Sequence, residues 1–179
     1  MSDQETDASE VDVKGDAAAV SPTPAIAFDP LEPGEVVLDD GAEHYLRQCN
    51  PSWMQEGRPT SQAFAYFKKD EGRLSGSRTG GGVTPSQAFR FYTQTLKLES
   101  AATFAVTVAE VEAKSSRVVD DTNAPTVRPP DPVPPGHAYI DLRHLSGGQR
   151  RKLASGLSRD AVQVHPDPTN QISLPGDAG

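Results

Sequence analysis

The sequence predicts a single α+β domain, built on a mixed or antiparallel sheet with two to three helices and led by a disordered acidic tail. Three observations predict it. The chain has 179 residues, the length of one domain. Its apolar fraction is 35%, with 16 prolines and 15 glycines, which leaves a modest core and a share of unstructured chain. Short β-rich runs alternate along it with segments that carry helix-start signals.

Residues 1–35 hold nine acids and one base, so they carry the whole formal net charge of −8. Like charge and low hydrophobicity predict disorder there. "EVVLDD" and "EHYLRQCN" read as short strands, or as a strand followed by a helical turn, ended by Pro51, which biases the residue before it away from helix. "EGRPT" is a turn, and "SQAFAYF" alternates as a strand does. "KKDEGRLSGSRTGGG" reads as a charged, glycine-rich loop. At "TPSQ", Thr84 caps a helix, Pro85 suits its first position and Gln87 closes a capping box. "ATFAVTVAEVEA" is β-branched and apolar on both faces, and reads as a central strand.

Residues 120–136 contain six prolines and read as a loop of polyproline character. "HAYIDLRHL" alternates: Ala138, Ile140 and Leu142 face one way, and His137, Tyr139, Asp141 and Arg143 the other. Ser146 and Gln149 form a second capping box, opening a short helix that Gly156 stops. "AVQVHP" is the last strand. The domain then spans 36–166, and 167–179 is a flexible tail.

Residues 36–179 balance 16 acids against 16 bases, which argues against general nucleic-acid binding. Cys49 is the only cysteine, so no disulfide closes within the chain. "MSDQETDASEVD" has neither the basic nor the apolar region of a signal peptide. No apolar run approaches the ~20 residues of a membrane span. A cytoplasmic protein without a membrane partner is the expectation. Four histidines and Cys49 show no paired ligand spacing, so no metal is expected.

"LSGGQ" at 145–149 resembles the signature loop of ATP-binding-cassette proteins. Such a cassette also needs a P-loop, G-x-x-x-x-G-K-[ST], to cradle phosphate, and the chain has none. The Ser146–Gln149 capping box explains the five letters locally, and the alternative is an anion bound at Gly147 and Gly148 with help from Arg150 and Arg151.

Arg47, then Thr60 and Ser61 in "PTSQAF", then Glu110 and Glu112 in "AEVEA", resemble the order used by ADP-ribosyltransferases of the Arg-Ser-Glu class. The resemblance implies NAD as cosubstrate, Arg47 anchoring it, Ser61 supporting the pocket and Glu110 or Glu112 stabilising an oxocarbenium ion. In a strand, Glu110 and Glu112 project from the same face. "HYLRQCNPSWMQEGRPTSQAF…KKDEGRLS", with "TPSQAF", "FAVTV" and "GHAYIDL", looks like a family of small, functionally uncharacterised bacterial proteins over residues 44–142. That likeness implies no activity. It directs attention to His44, Arg47, Trp53, Gly57, Arg58, Ser61, Phe64, Asp70 and Glu71 as one surface. Trp53, the only tryptophan, lies between Arg47 and Arg58, a composition typical of binding hot spots. The first expectation is therefore a non-enzymatic binding or accessory protein without cofactor. It would use the 44–75 segment against a protein partner, through His44, Arg47, Trp53, Arg58, Ser61, Asp70 and Glu71. The transferase is the alternative.

Overall fold

The computed structural model describes residues 26–124 and 132–166. Its strands are β1 (Val36–Val37), β2 (His44–Cys49), β3 (Met54–Gln55), β4 (Arg58–Pro59), β5 (Arg73–Arg78), β6 (Ala102–Thr107), β7 (Val118–Asp120), β8 (His137–Asp141) and β9 (Val162–His165). Its helices are α1 (Pro85–Arg90), α2 (Val108–Glu112) and α3 (Gly147–Asp160). Seven strands form one antiparallel sheet in the order β1-β7-β8-β5-β2-β6-β9, while β3 and β4 make a separate hairpin. The α+β class expected from the sequence is the observed one. Among the described residues no helix is long and apolar enough to cross a membrane.

Strand alternation divides the sheet into two faces. On one, Tyr45, Leu74, Phe104, Val106, Val118 and Ile140 pack with Leu153 and Leu157 of α3 as the main core. On the other, Leu46 and Ala105 meet Val83 and Ala88, beneath α1. Both helices start as the sequence predicts. Thr84 accepts from Gln87 N, Ser146 accepts from Gln149 N, and each glutamine reaches back to its cap. Past Arg90 the chain continues as a π-helical turn, Phe91–Thr95.

Several expectations need correction. "SQAFAYF" is not a strand: Ser61–Phe64 is a 3-10 turn. Its adjacent residues Ala63 and Phe64 are both in the core, which an alternating strand cannot achieve with one face buried. The supposed loop "KKDEGRLSGSRTGGG" contains β5, at the middle of the sheet. "ATFAVTVAEVEA" is a strand only to Thr107. There Thr107 accepts from Glu110 N, and the Glu110 carboxylate accepts from Thr107 N at 2.7 Å, a capping box that starts α2. Glu110 and Glu112 are therefore helical and do not share a strand face. Gly156 does not stop the last helix but lies inside it, where Lys114 passes over the space a side chain would take.

The tail boundary also moves. Residues 1–25 and 167–179 lie outside the described residues, but 26–35 pack on the domain. Phe28 meets the His144 ring edge-on at 4.5 Å and lies under the Arg117 guanidinium, also at 4.5 Å. Glu35 is buried, 3.7 Å from Arg73. Beneath this strap, fully buried Asp141 accepts from both Arg117 and Arg143. Burial by itself raises its carboxyl, but the hydrogen bonds of Arg143 and Arg117 outweigh that and hold it below the usual aspartate value.

Candidate functional site

Strands β2 and β5 pair only at Tyr45↔Arg78 and Leu46↔Ser77. Beyond that point they part, β2 staying with β6 as far as Cys49 and β5 with β8 as far as Arg73. Polar side chains from β2 fill the split. The Tyr45 hydroxyl donates to Leu74 O at 2.6 Å. Arg47 donates through Nε to Ala63 O at 2.9 Å and through Nη1 to Ser75 O, a carbonyl of the unpaired stretch. Gly76 is required here: a Cβ on it would lie 2.5 Å from the Tyr45 hydroxyl oxygen.

The split opens into a cavity of about 330 Å³. Leu46, Gln48, Ser75 and Ser77 form its sheet side, and Ala88 of α1 with Phe91, Tyr92, Leu96 and Leu98 of the turn beyond cover it. Single π turns inside helices recur at functional sites, because the extra residue redirects side chains. Arg47, Trp53, Phe67 and Asp70 close one end. Trp53 stacks on Phe67 with ring centroids 5.8 Å apart, and the Arg47 guanidinium lies 5.8 Å from the Trp53 ring centre. Burial raises the Tyr92 phenol, against the opposing charge of Arg47.

His137 also lines the cavity. Its side chain is 3% exposed and that of Asp121 is 1%, with Asp121 Oδ1 2.5 Å from His137 Nδ1. A carboxylate can only accept, so Nδ1 donates the proton and Nε2 is left over. Among the described residues Nε2 has no hydrogen-bond partner, and neither has Asp121 Oδ2. A buried polar atom left unsatisfied costs about 1–3 kcal/mol. Most buried polar groups have partners, so one without a partner beside an apolar cavity is a candidate contact for a ligand.

The residues singled out in the sequence are only partly brought together. Arg47, Trp53 and Asp70 line the cavity. Phe64 belongs to the core, while Ser61, Glu71 and His44 are exposed away from the cavity. Arg58 donates to Arg159 O on α3, and Gly57 makes the left-handed turn of the β3–β4 hairpin beside Glu56. The expected single surface is thus divided among cavity, core and exterior. Of the Arg-Ser-Glu set only Arg47 lines the cavity; Ser61, Glu110 and Glu112 do not.

The other reactive groups are otherwise engaged. Burial pushes the Cys49 thiol up to about 11, so it stays protonated at neutral pH. At the α3 start, Arg150 is committed to Leu142 O and Arg143 O and lies over the Tyr66 ring at 4.2 Å, away from any anion at the glycines. Asp121 and His137 were not foreseen as a pair. Alternation put His137 on the polar face of its strand, but Asp121 is 16 residues away across the proline-rich loop. Only tertiary structure joins them. No family model, no curated protein and no solved structure matches the chain.

Proposed function

We propose that this protein binds a small organic molecule in the cavity under α1, its apolar body against Leu46, Phe91 and Leu96 and one hydroxyl donating to His137 Nε2. The observation that carries the reading is the buried His137 Nε2, without a partner among the described residues, on a residue that lines an apolar cavity. A volume of about 330 Å³ is at the small end of ligand pockets. A ligand hydroxyl would relieve the unsatisfied nitrogen while the walls remove its body from water. Arg47, Trp53 and Asp70 of the 44–75 segment then act as the end wall of a small-molecule site. That use of their side chains supports this reading over a flat docking face for a protein partner.

Trp53 supplies the test, since it is the only tryptophan and stands in the cavity wall. Titrating 4-nitrophenol, a flat ring with one hydroxyl whose absorption overlaps tryptophan emission, should quench Trp53 saturably. Ser75→Phe, which fills the cavity from β5, should abolish saturation while circular dichroism stays unchanged. Quenching that never saturates in the wild type, or is the same in the variant, contradicts the reading.

A further inference from the structure

The cavity is also lined by a third group, Ser77, that is the strand neighbour of His137 in the Asp121–His137 pair. In the β5–β8 ladder Ser77 is the direct partner of His137, so both side chains leave the sheet on the same face. Directly opposed residues on an antiparallel pair have Cβ atoms about 4.5–5.5 Å apart. Ser77 lines the cavity and is buried, and its hydroxyl makes no hydrogen bond among the described residues. Asp121, His137 and Ser77 thus supply an acid, an imidazole and a neighbouring hydroxyl, with the acid–imidazole bond made. Gln48 lines the same cavity. Its amide oxygen is taken by Ser100 and Thr103, so the amide NH₂ remains as a donor.

We infer that Ser77 is a nucleophile activated by His137 and Asp121, and that the cavity hydrolyses a small ester with an apolar acyl group. This rests on the binding reading above and adds a reaction to it. Four roles divide among the residues. Ser77 Oγ attacks the acyl carbon while His137 Nε2 takes its proton. The bond from the acyl carbon to the leaving alcohol breaks, and Nε2 returns the proton to that alcohol. Water then attacks the acyl-serine, giving a proton to Nε2; the ester bond to Ser77 breaks and Ser77 regains its proton. The products are an alcohol and a carboxylic acid, and one water is consumed. Asp121 is a positioning residue: it holds the imidazole in the tautomer that presents Nε2 and balances the charge formed on it. The Gln48 amide is the donor available to the carbonyl oxygen as it gains charge. Nε2 and Oγ are not hydrogen-bonded to each other, and rotation of Ser77 about χ1 is the movement the relay needs.

Diisopropyl fluorophosphate tests this. It is small enough for the cavity, and its phosphorus–fluorine bond breaks as a serine oxygen–phosphorus bond forms. Peptide mass spectrometry of the full chain should place the adduct on Ser77. His137→Gln should slow labelling by about a hundredfold or more. Ser77→Ala should remove both the label and any hydrolysis of 4-nitrophenyl butyrate. If His137→Gln fails to fold, Asp121→Asn takes its place, with a changed pH profile of labelling as its readout. Absence of label at Ser77, together with saturable 4-nitrophenol quenching in the wild type, overturns the relay and leaves the binding reading standing. Absence of both overturns both. Label on several serines at one rate also overturns the relay, because it shows no activated hydroxyl.

Discussion

At the scale of single residues, two buried carboxylates meet opposite situations. Asp141 accepts from two arginines, while Asp121 has one histidine and a second oxygen without a partner among the described residues. The first arrangement holds structure and the second leaves capacity for a ligand. Because the Asp141 carboxyl is held below its ordinary value, its contribution to stability is complete above about pH 4 and is lost as pH falls through the depressed value. Asp141→Asn should therefore cost about 3 kcal/mol at pH 7, leaving Arg117 and Arg143 without their countercharge. Urea midpoints of wild type and variant should converge as pH drops below 4. A gap that stays constant to acid pH would show that the carboxylate's charge does not matter. His137 was placed by alternation on the right face of β8. Its significance was not legible, because a strand's polar face ordinarily meets water, and here it meets a cavity and a second buried side chain.

At the scale of elements, the local signals that held were those with a mechanism inside a few residues. Both expected capping boxes form, and Ser146→Ala should lower stability by about 0.5–2 kcal/mol, read from thermal or urea unfolding. The same signal, Thr107 followed three residues later by Glu110 in "TVAE", also forms its capping box, but the run of β-branched residues around it makes the segment read as strand. β5 was missed for the converse reason. "RLSGSR" has little β propensity, and its small residues look like a loop. They are small because Tyr45 crosses Gly76 to reach Leu74 O. Gly76→Ala should thus destabilise the chain by about 1–3 kcal/mol through overpacking, although alanine is ordinarily accepted in a strand. An unchanged midpoint would mean that both Tyr45 and the Leu46 backbone oxygen, 2.6 Å from the added Cβ, can give way at no cost. The cavity itself could not be read from the chain, since it arises where two strands part and the register of that parting is a tertiary property.

At the scale of the whole molecule, the sheet is closed at one end by the 26–35 strap and opened at the split between β2 and β5. Phe28 and Glu35 give the strap its attachment on Arg117, His144 and Arg73. A chain starting at residue 36 should melt roughly 5 °C below one starting at residue 26, since about 1 kcal/mol shifts the midpoint by a few degrees at this size. Equal midpoints would show the strap to be idle.

The central claim is that the cavity takes a ligand through His137 Nε2, and nitrogen-15 spectra of the histidine side chains address it most directly. As 4-nitrophenol is added, the His137 Nε2 resonance should move in step with Trp53 quenching. The His144 Nε2 resonance, tied to Ser115 O at 2.8 Å, should stay in place. A His137 signal unmoved at concentrations that saturate the quenching would contradict the account.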